Sequence, residues 1–229
     1  MTDFDPSPFD SLPQGKPQHY FTARDWLTSV ELDRDSETVS LPYRDMRTPS
    51  EITLRFATGL GTFSRGELDA GSRLLLATAT WPQTATICDL GCGWGAVGCF
   101  LARLAPDARI MMCDLSAHAV QLARLNVRTN ALPNAEVWQG DGLTACNDSV
   151  FDTILCNPPV RAGNEVIANL FREAQRCLRP GGALWVVLRT AQGAKSWQKR
   201  LAHQFGNCAT VKKDDGFRVL CSIKESGDT

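Results

Sequence analysis

This chain has no Cys-x-x-Cys pair, only three histidines, almost no net charge and no long apolar run, and each shortage removes a class of function. His19, His118 and His203 are scattered, none with a Cys or Asp partner at metal-ligand spacing, so no metal centre is predicted. Of the nine cysteines, Cys88, Cys113 and Cys156 lie in apolar, strand-like runs, which suits small buried hydrophobes in a reducing compartment better than disulfides. A formal net charge of −1 excludes a protein that coats nucleic acid with a generally basic surface; contact with RNA must use local patches. The apolar runs fall far short of a membrane span, and the acidic, proline-broken start MTDFDPSPFD is no secretion signal. A cytoplasmic protein with no membrane partner is therefore expected. No internal repeat is visible.

What is present is enough for one sizeable domain with a small appendage: 229 residues, 43% hydrophobic and 21% charged. Residues 1–18, rich in Pro, Asp and Ser, are expected to be disordered. Residues 19–82 read as an N-terminal extension packing on the catalytic domain. Its pieces SVEL and ETVSL suggest a small sheet. A glycine-punctuated, hairpin-like stretch begins at Ile52, and Leu74, Leu75 and Leu76 suggest a helix ending before Pro82. Through residues 83–229 strand and helix alternate. TICDL, RIMMCD, AEVWQGD, FDTILCN and ALWVVL are the strands, and two further strands are joined by Asp215-Gly216, a hairpin signal. Val97, Phe100, Leu101 and Leu104 mark one intervening helix; Ser116 and Asn164 are candidate caps of two more, and Gly206 stops another. The predicted fold is α/β: a doubly wound, Rossmann-like, mostly parallel seven-stranded sheet with a C-terminal antiparallel hairpin and a small strand-containing extension at the N-terminus.

The first strand runs into Asp89-Leu90-Gly91-Cys92-Gly93-Trp94-Gly95-Ala96. In such a sheet this turn lies at the carboxyl end of the strand, where ligands bind, and its glycines let the main chain approach them. The spacing also satisfies a dinucleotide fingerprint. Three carboxylates at three consecutive strand ends argue otherwise. Asp89 would disfavour a pyrophosphate but suit a cationic ligand. Asp114 can accept from ribose hydroxyls, and Asp141 from an adenine amino group. Together they fit an adenosine carrying a cationic amino-acid tail, S-adenosyl-L-methionine, better than a nicotinamide dinucleotide.

The fourth strand ends in Cys156-Asn157-Pro158-Pro159. Neither proline has an N–H to extend the ladder, and both have a fixed φ. Asn157, preceding proline, is pushed toward extended geometry. A rigid pair of acceptors results: the Asn157 side-chain oxygen and the Pro158 carbonyl. Two acceptors aimed at the two N–H bonds of a planar amine would localise its lone pair for methylation, by positioning and preorganised dipoles rather than a strong base.

ICDLGCGWGAVG, the following Asp114, QGDG and CNPPVRAG resemble the class I S-adenosylmethionine-dependent methyltransferases. Within them the chain is similar to the small methyltransferase-domain family of ribosomal RNA guanine-N2 methyltransferases. The likeness extends through QHYF, GTFSRGELDAGSRLLL and LRPGGALWVVLRTAQGA, over residues 18 to 224. It implies cofactor binding by Asp89, Gly91, Cys92, Gly93, Gly95, Asp114, Leu115, Asp141, Gly142 and Asn157, and catalysis by Asn157, Pro158 and Pro159. The partner it implies is an RNA substrate, ribosomal RNA or a ribosomal subunit precursor. Two departures stand out: Asn164 replaces a common lysine, and Val160 replaces the aromatic that many amino methyltransferases stack on the target ring. Phe63 or Trp94 is the expected substitute, with Val160 and Arg161 as further substrate contacts. Lys195, Lys199, Arg200, Lys212 and Lys213 read as a solvated charged face, and Trp185 and Trp197 as core aromatics. The expected activity is methyl transfer to a nucleobase amino group, guanine N2 foremost. The alternatives are methylation of a protein glutamine amide, as on release factors, and an inactive cofactor-binding module.

Overall fold

In the computed structural model, which describes residues 37–45, 51–58 and 67–226, the run TICDL forms strand β3 (Thr86–Leu90) in the interior of a seven-stranded sheet. The expected strand SVEL, the motif QHYF and Phe63 lie outside the described residues. β3 is flanked on one side by β4 (Arg109–Asp114) and β5 (Ala135–Gln139), and on the other by β6 (Phe151–Cys156) and β7 (Leu178–Arg189). These five are parallel. β9 (Phe217–Ile223) then pairs antiparallel with β7, and β8 (Ala209–Asp214) forms the edge. Asp215 and Gly216 join β8 to β9, both with positive φ (40° and 75°), the turn whose twist matches its flanking strands.

The central strands are apolar on both faces because helices cover both. Ile87, Ile110, Met112, Leu155, Trp185 and Val187 face one core, beneath α1 (Ala70–Thr78), α2 (Ala96–Leu104) and α3 (Ala117–Thr129). Their neighbours Cys88, Met111, Ile154, Cys156, Val186 and Leu188 face the other, beneath α4 (Asn164–Cys177) and α5 (Ala194–Phe205). Ser116 caps α3 by accepting from Ala119 N, and Gly206 ends α5 in the left-handed conformation. Trp185 and Trp197 are core aromatics, as expected.

Some boundaries differ from expectation. Asn164 does not cap α4: it is the first helical residue, and Gly163 (φ 96°, ψ 162°) takes the cap position without a side-chain bond. The strand expected at ALWVVL begins earlier: β7 starts at Leu178, takes in residues 179–182 and carries a register shift where it pairs with β6. Gly181 N and Lys224 N donate to Lys224 O and Gly182 O, so this end of the strand is tied to the segment after β9.

Of the stretch from Ile52, residues 59–66 lie outside the described residues. β2 (Glu51–Thr58) pairs antiparallel with β1 (Glu37–Arg44). Two asparagines one turn apart, Asn126 in α3 and Asn130 at its C-cap, grip β2 as a neighbouring strand would. Asn126 accepts from Ala57 N (2.7 Å) and donates to Ala57 O (3.0 Å); Asn130 accepts from Arg55 N (2.9 Å) and donates to Arg55 O (2.7 Å). Asn126 also donates to Trp94 O (2.8 Å), which ties the hairpin to the glycine loop.

Candidate active site

Parallel register sets one row of strand ends. Leu90 is level with Cys113 of β4 and with Cys156 of β6, and Asp114 is level with Gln139. The next row, Gly91, Asp114, Gln139 and Asn157, therefore stands at the carboxyl edge of the sheet. The order β5-β4-β3-β6-β7 reverses direction between β3 and β6, and that switch point is where such sheets leave a crevice. Gly91 and Asn157 flank it.

Gly91, Gly93 and Gly95 all have positive φ (75°, 56° and 85°), yet they do different work. A Cβ at Gly91 or Gly93 would meet nothing within 4 Å, so both border open space that a side chain would occupy. A Cβ at Gly95 would lie 2.9 Å from the Ala123 Cβ; that glycine lets α2 approach α3. Cys92 is buried between them, with its thiol held well up by burial and by Asp89 and Asp114. Its part in the loop is main-chain.

The three carboxylates sit in three different environments. Asp89 is buried, 4% exposed, and its Oδ2 accepts from Gly98 N (2.8 Å) in the first turn of α2. Burial, joined by the charge of Asp114 and opposed by the Gly98 N–H, lifts its pKa from 3.8 to about 7. Asp114 accepts from Gly93 N (2.9 Å) on one oxygen and from Ser116 N (2.9 Å) on the other. Each oxygen keeps a further lone pair, so hydroxyl donors can still be accepted. Asp141 is exposed; its main-chain oxygen accepts from Thr144, and its neighbour Gly142 has φ 58°. Leu115 stands 66% exposed beside Asp114, a large apolar side chain left in the open at the strand edge.

Asn157 is held by residues that the sequence reading did not single out. Its Nδ2 donates to Ser72 Oγ (3.1 Å) and to Asp69 Oδ1 (3.4 Å), at the N-terminus of α1. Among the described residues nothing donates to its Oδ1. Pro158 is buried and Pro159 exposed. Pro159 O accepts from Ala162 N (2.8 Å) in the short 3₁₀ turn Val160–Ala162, whereas Pro158 O takes no part in that turn. The sequence did carry a signal for Asp69: Asp-x-x-Ser ahead of three leucines has the form of a helix N-cap, and Asp69 does accept from Ser72 N (3.1 Å).

The methyltransferase small domain model matches residues 53–221. This chain belongs to that family. It is 31% identical over 209 residues to the uncharacterized protein YbxB of Bacillus subtilis, covering 90% of this chain and 98% of that one. It is 35% identical over 205 residues to ribosomal RNA large subunit methyltransferase G of Shewanella amazonensis, covering 86% of this chain and 52% of that one. The T. thermophilus 16S rRNA N2 G1207 methyltransferase (RsmC), solved with AdoMet and guanosine, superposes with a TM-score of 0.69. It is 26% identical, over 82% of this chain and 51% of that one. The chain thus spans about half the length of the ribosomal RNA methyltransferases it matches.

Within this small methyltransferase domain, one expected substrate contact changes. Trp94 does not stack on a target: it is 4% exposed and packs edge-on against Phe56, with ring centroids 5.0 Å apart. Val160 is half-buried and packs against the core under α4 and α5, while Arg161 beside it is exposed. Among the described residues no cluster of three or more His, Cys, Asp or Glu side chains could hold a metal, and no helix is long and apolar enough to cross a membrane.

Proposed function

We propose that this methyltransferase acts on an exocyclic amino group of a nucleobase, guanine N2 in ribosomal RNA. The observation that carries the proposal is Asn157: a side-chain oxygen with no donor among the described residues, at the switch point, next to the carbonyl of Pro158. The methyl donor is S-adenosyl-L-methionine, and the residues present fit it. The open space before Gly91 and Gly93 admits its amino-acid end against the main chain. Asp114, with both oxygens already fixed by N–H groups, accepts from the ribose hydroxyls. Leu115 offers an apolar face to the adenine, Asp141 and Gly142 a polar edge, and Asp89 a buried carboxyl group behind the loop. Bound there, the donor supplies an electrophilic methyl on a sulfonium.

The nitrogen to be methylated starts with its lone pair delocalised into the ring. Asn157 Oδ1 and Pro158 O each accept one of its two N–H bonds, bending the nitrogen toward tetrahedral geometry and directing its lone pair at the methyl. A C–N bond forms as the S–C bond breaks. The nitrogen, briefly cationic, then gives one proton to water, and the sulfonium is left as a neutral thioether. The target base must be turned out of its helix to reach Asn157. RNA contact is local: α5 carries Lys195, Lys199, Arg200 and His203 and no acid, and begins just after the carboxyl end of β7. Arg172 of α4 joins Lys199, Arg200 and His203 around a cleft of about 530 Å³ between the two helices. A ribosomal substrate, RNA or subunit precursor, puts this work in the cytoplasm.

The test is to map modified nucleotides in ribosomal RNA from cells with and without the protein. Loss of one N2-methylguanosine is expected. Unchanged RNA together with loss of a glutamine methylation in release factors would overturn the substrate. No binding of S-adenosylmethionine by calorimetry would overturn the enzyme.

A further inference from the structure

We infer that Asp69 and Ser72 are positioning residues for the transfer: they fix the Asn157 amide with its oxygen, and not its NH₂, presented to the substrate. The inference rests on the role of Asn157 given above. A primary amide has an acceptor end and a two-donor end of nearly the same shape, and only one orientation serves as an acceptor. Here the choice is made by chemistry on α1. Asp69 Oδ1 and Ser72 Oγ, 3.4 Å and 3.1 Å from Asn157 Nδ2, take the two N–H bonds of the amide. A carboxylate only accepts, so a flipped amide would set its oxygen against Asp69 Oδ1 and lose that bond, while the Ser72 hydroxyl, which can also donate, follows the choice that Asp69 makes.

The platform itself is rigid. Asp69 Oδ1 is also the N-cap acceptor of α1, bonded to Ser72 N (3.1 Å), so one oxygen locks the helix start and the amide together. Ser72 is buried. Gly71 between them is pressed to the sheet, where a Cβ would come within 2.8 Å of the Phe217 ring. The link bridges 88 residues of sequence, from a segment before the glycine loop to the turn after β6. Its effect is confined to aiming: neither Asp69 nor Ser72 is required to touch the base or the methyl.

A double-mutant cycle separates this from a merely structural helix cap. Asp69→Ser keeps a good N-cap residue but is too short to reach Asn157, and Ser72→Ala removes the second acceptor. Each is expected to lower kcat about 10-fold, and the pair about 100-fold, approaching Asn157→Ala. KM for ribosomal RNA and Kd for S-adenosylmethionine should stay within about twofold. In an Asn157→Ala background the same changes should cost no further kcat. Equal losses in both backgrounds, or no loss in the parent, would overturn the inference while leaving the role of Asn157 standing. Full activity in Asn157→Ala alone would instead overturn that role. Should Asp69→Ser fail to fold, Ser72→Ala carries the same cycle.

Discussion

Replacing Asn126 with alanine should strip the N-terminal hairpin from the domain and loosen the glycine loop in one step. The side chain is fully buried and makes three hydrogen bonds, at 2.7 Å, 3.0 Å and 2.8 Å, to Ala57 N, Ala57 O and Trp94 O. Alanine leaves one N–H and two carbonyls without this partner. At about 1–3 kcal/mol for each buried orphan, less for carbonyls that find a second donor, the loss is about 3–5 kcal/mol. That is a large share of the roughly 5–15 kcal/mol that holds a domain together. For a chain of this size it corresponds to a fall in Tm of about 10 °C. Calorimetry on the purified protein measures it. S-adenosylmethionine titrated into the same samples should bind about 10-fold more weakly, because the main chain of Trp94 lies inside the loop. Asn130→Ala is the control. It removes the bonds to Arg55 but nothing at the loop, so it should lower Tm while leaving cofactor affinity within about twofold. A Tm change below about 2 °C for Asn126→Ala, or equal effects of the two variants on cofactor affinity, would refute the reasoning.

Three further outcomes are expected. Between pH 4 and 7 the folded protein binds a proton at Asp89 that the unfolded chain has released, since its pKa rises from 3.8 to about 7. Stability from this group therefore falls as pH rises through that window and is flat above it, by on the order of 4 kcal/mol. Asp89→Asn, which can still accept from Gly98 N, should lack this slope in urea titrations at pH 4 to 8; parallel slopes for the two proteins would count against it. Gly93→Ala and Gly95→Ala should part company: the first costs about 1 kcal/mol of stability but at least 10-fold in cofactor affinity, the second mainly unfolds, because its Cβ meets Ala123. Equal behaviour in melting and in cofactor titration would show that the loop does not distinguish packing from binding. Charge reversal at Lys199 and Arg200 should raise KM for ribosomal RNA about 10-fold or more at low salt and leave cofactor binding alone; an unchanged KM would assign that cleft no RNA contact.

The alternation of strand and helix was legible because the central parallel strands are buried on both faces and most helices on one, and Asn157 because a strand ending in two prolines is chemically odd. The row at the carboxyl edge follows from topology once the strands are known. What escaped the reading is contact between distant segments. Nothing in ITLRF says that its partner is ETVSLPYR. Asn126 and Asn130 look like ordinary polar positions of α3 until β2 is laid beside them. Trp94 appears free in a glycine loop, yet Phe56 of that same hairpin covers it. Asn164 loses the capping role because Gly163, at φ 96°, makes the turn ahead of it.

Most direct of all is single-turnover methyl transfer to ribosomal RNA by Asn157→Ala, with S-adenosylmethionine affinity measured on the same protein. A rate lowered about 100-fold or more at nearly unchanged affinity is the expected result. A rate equal to that of the parent enzyme would contradict the claim that the amide oxygen at the end of β6 grips the amine being methylated.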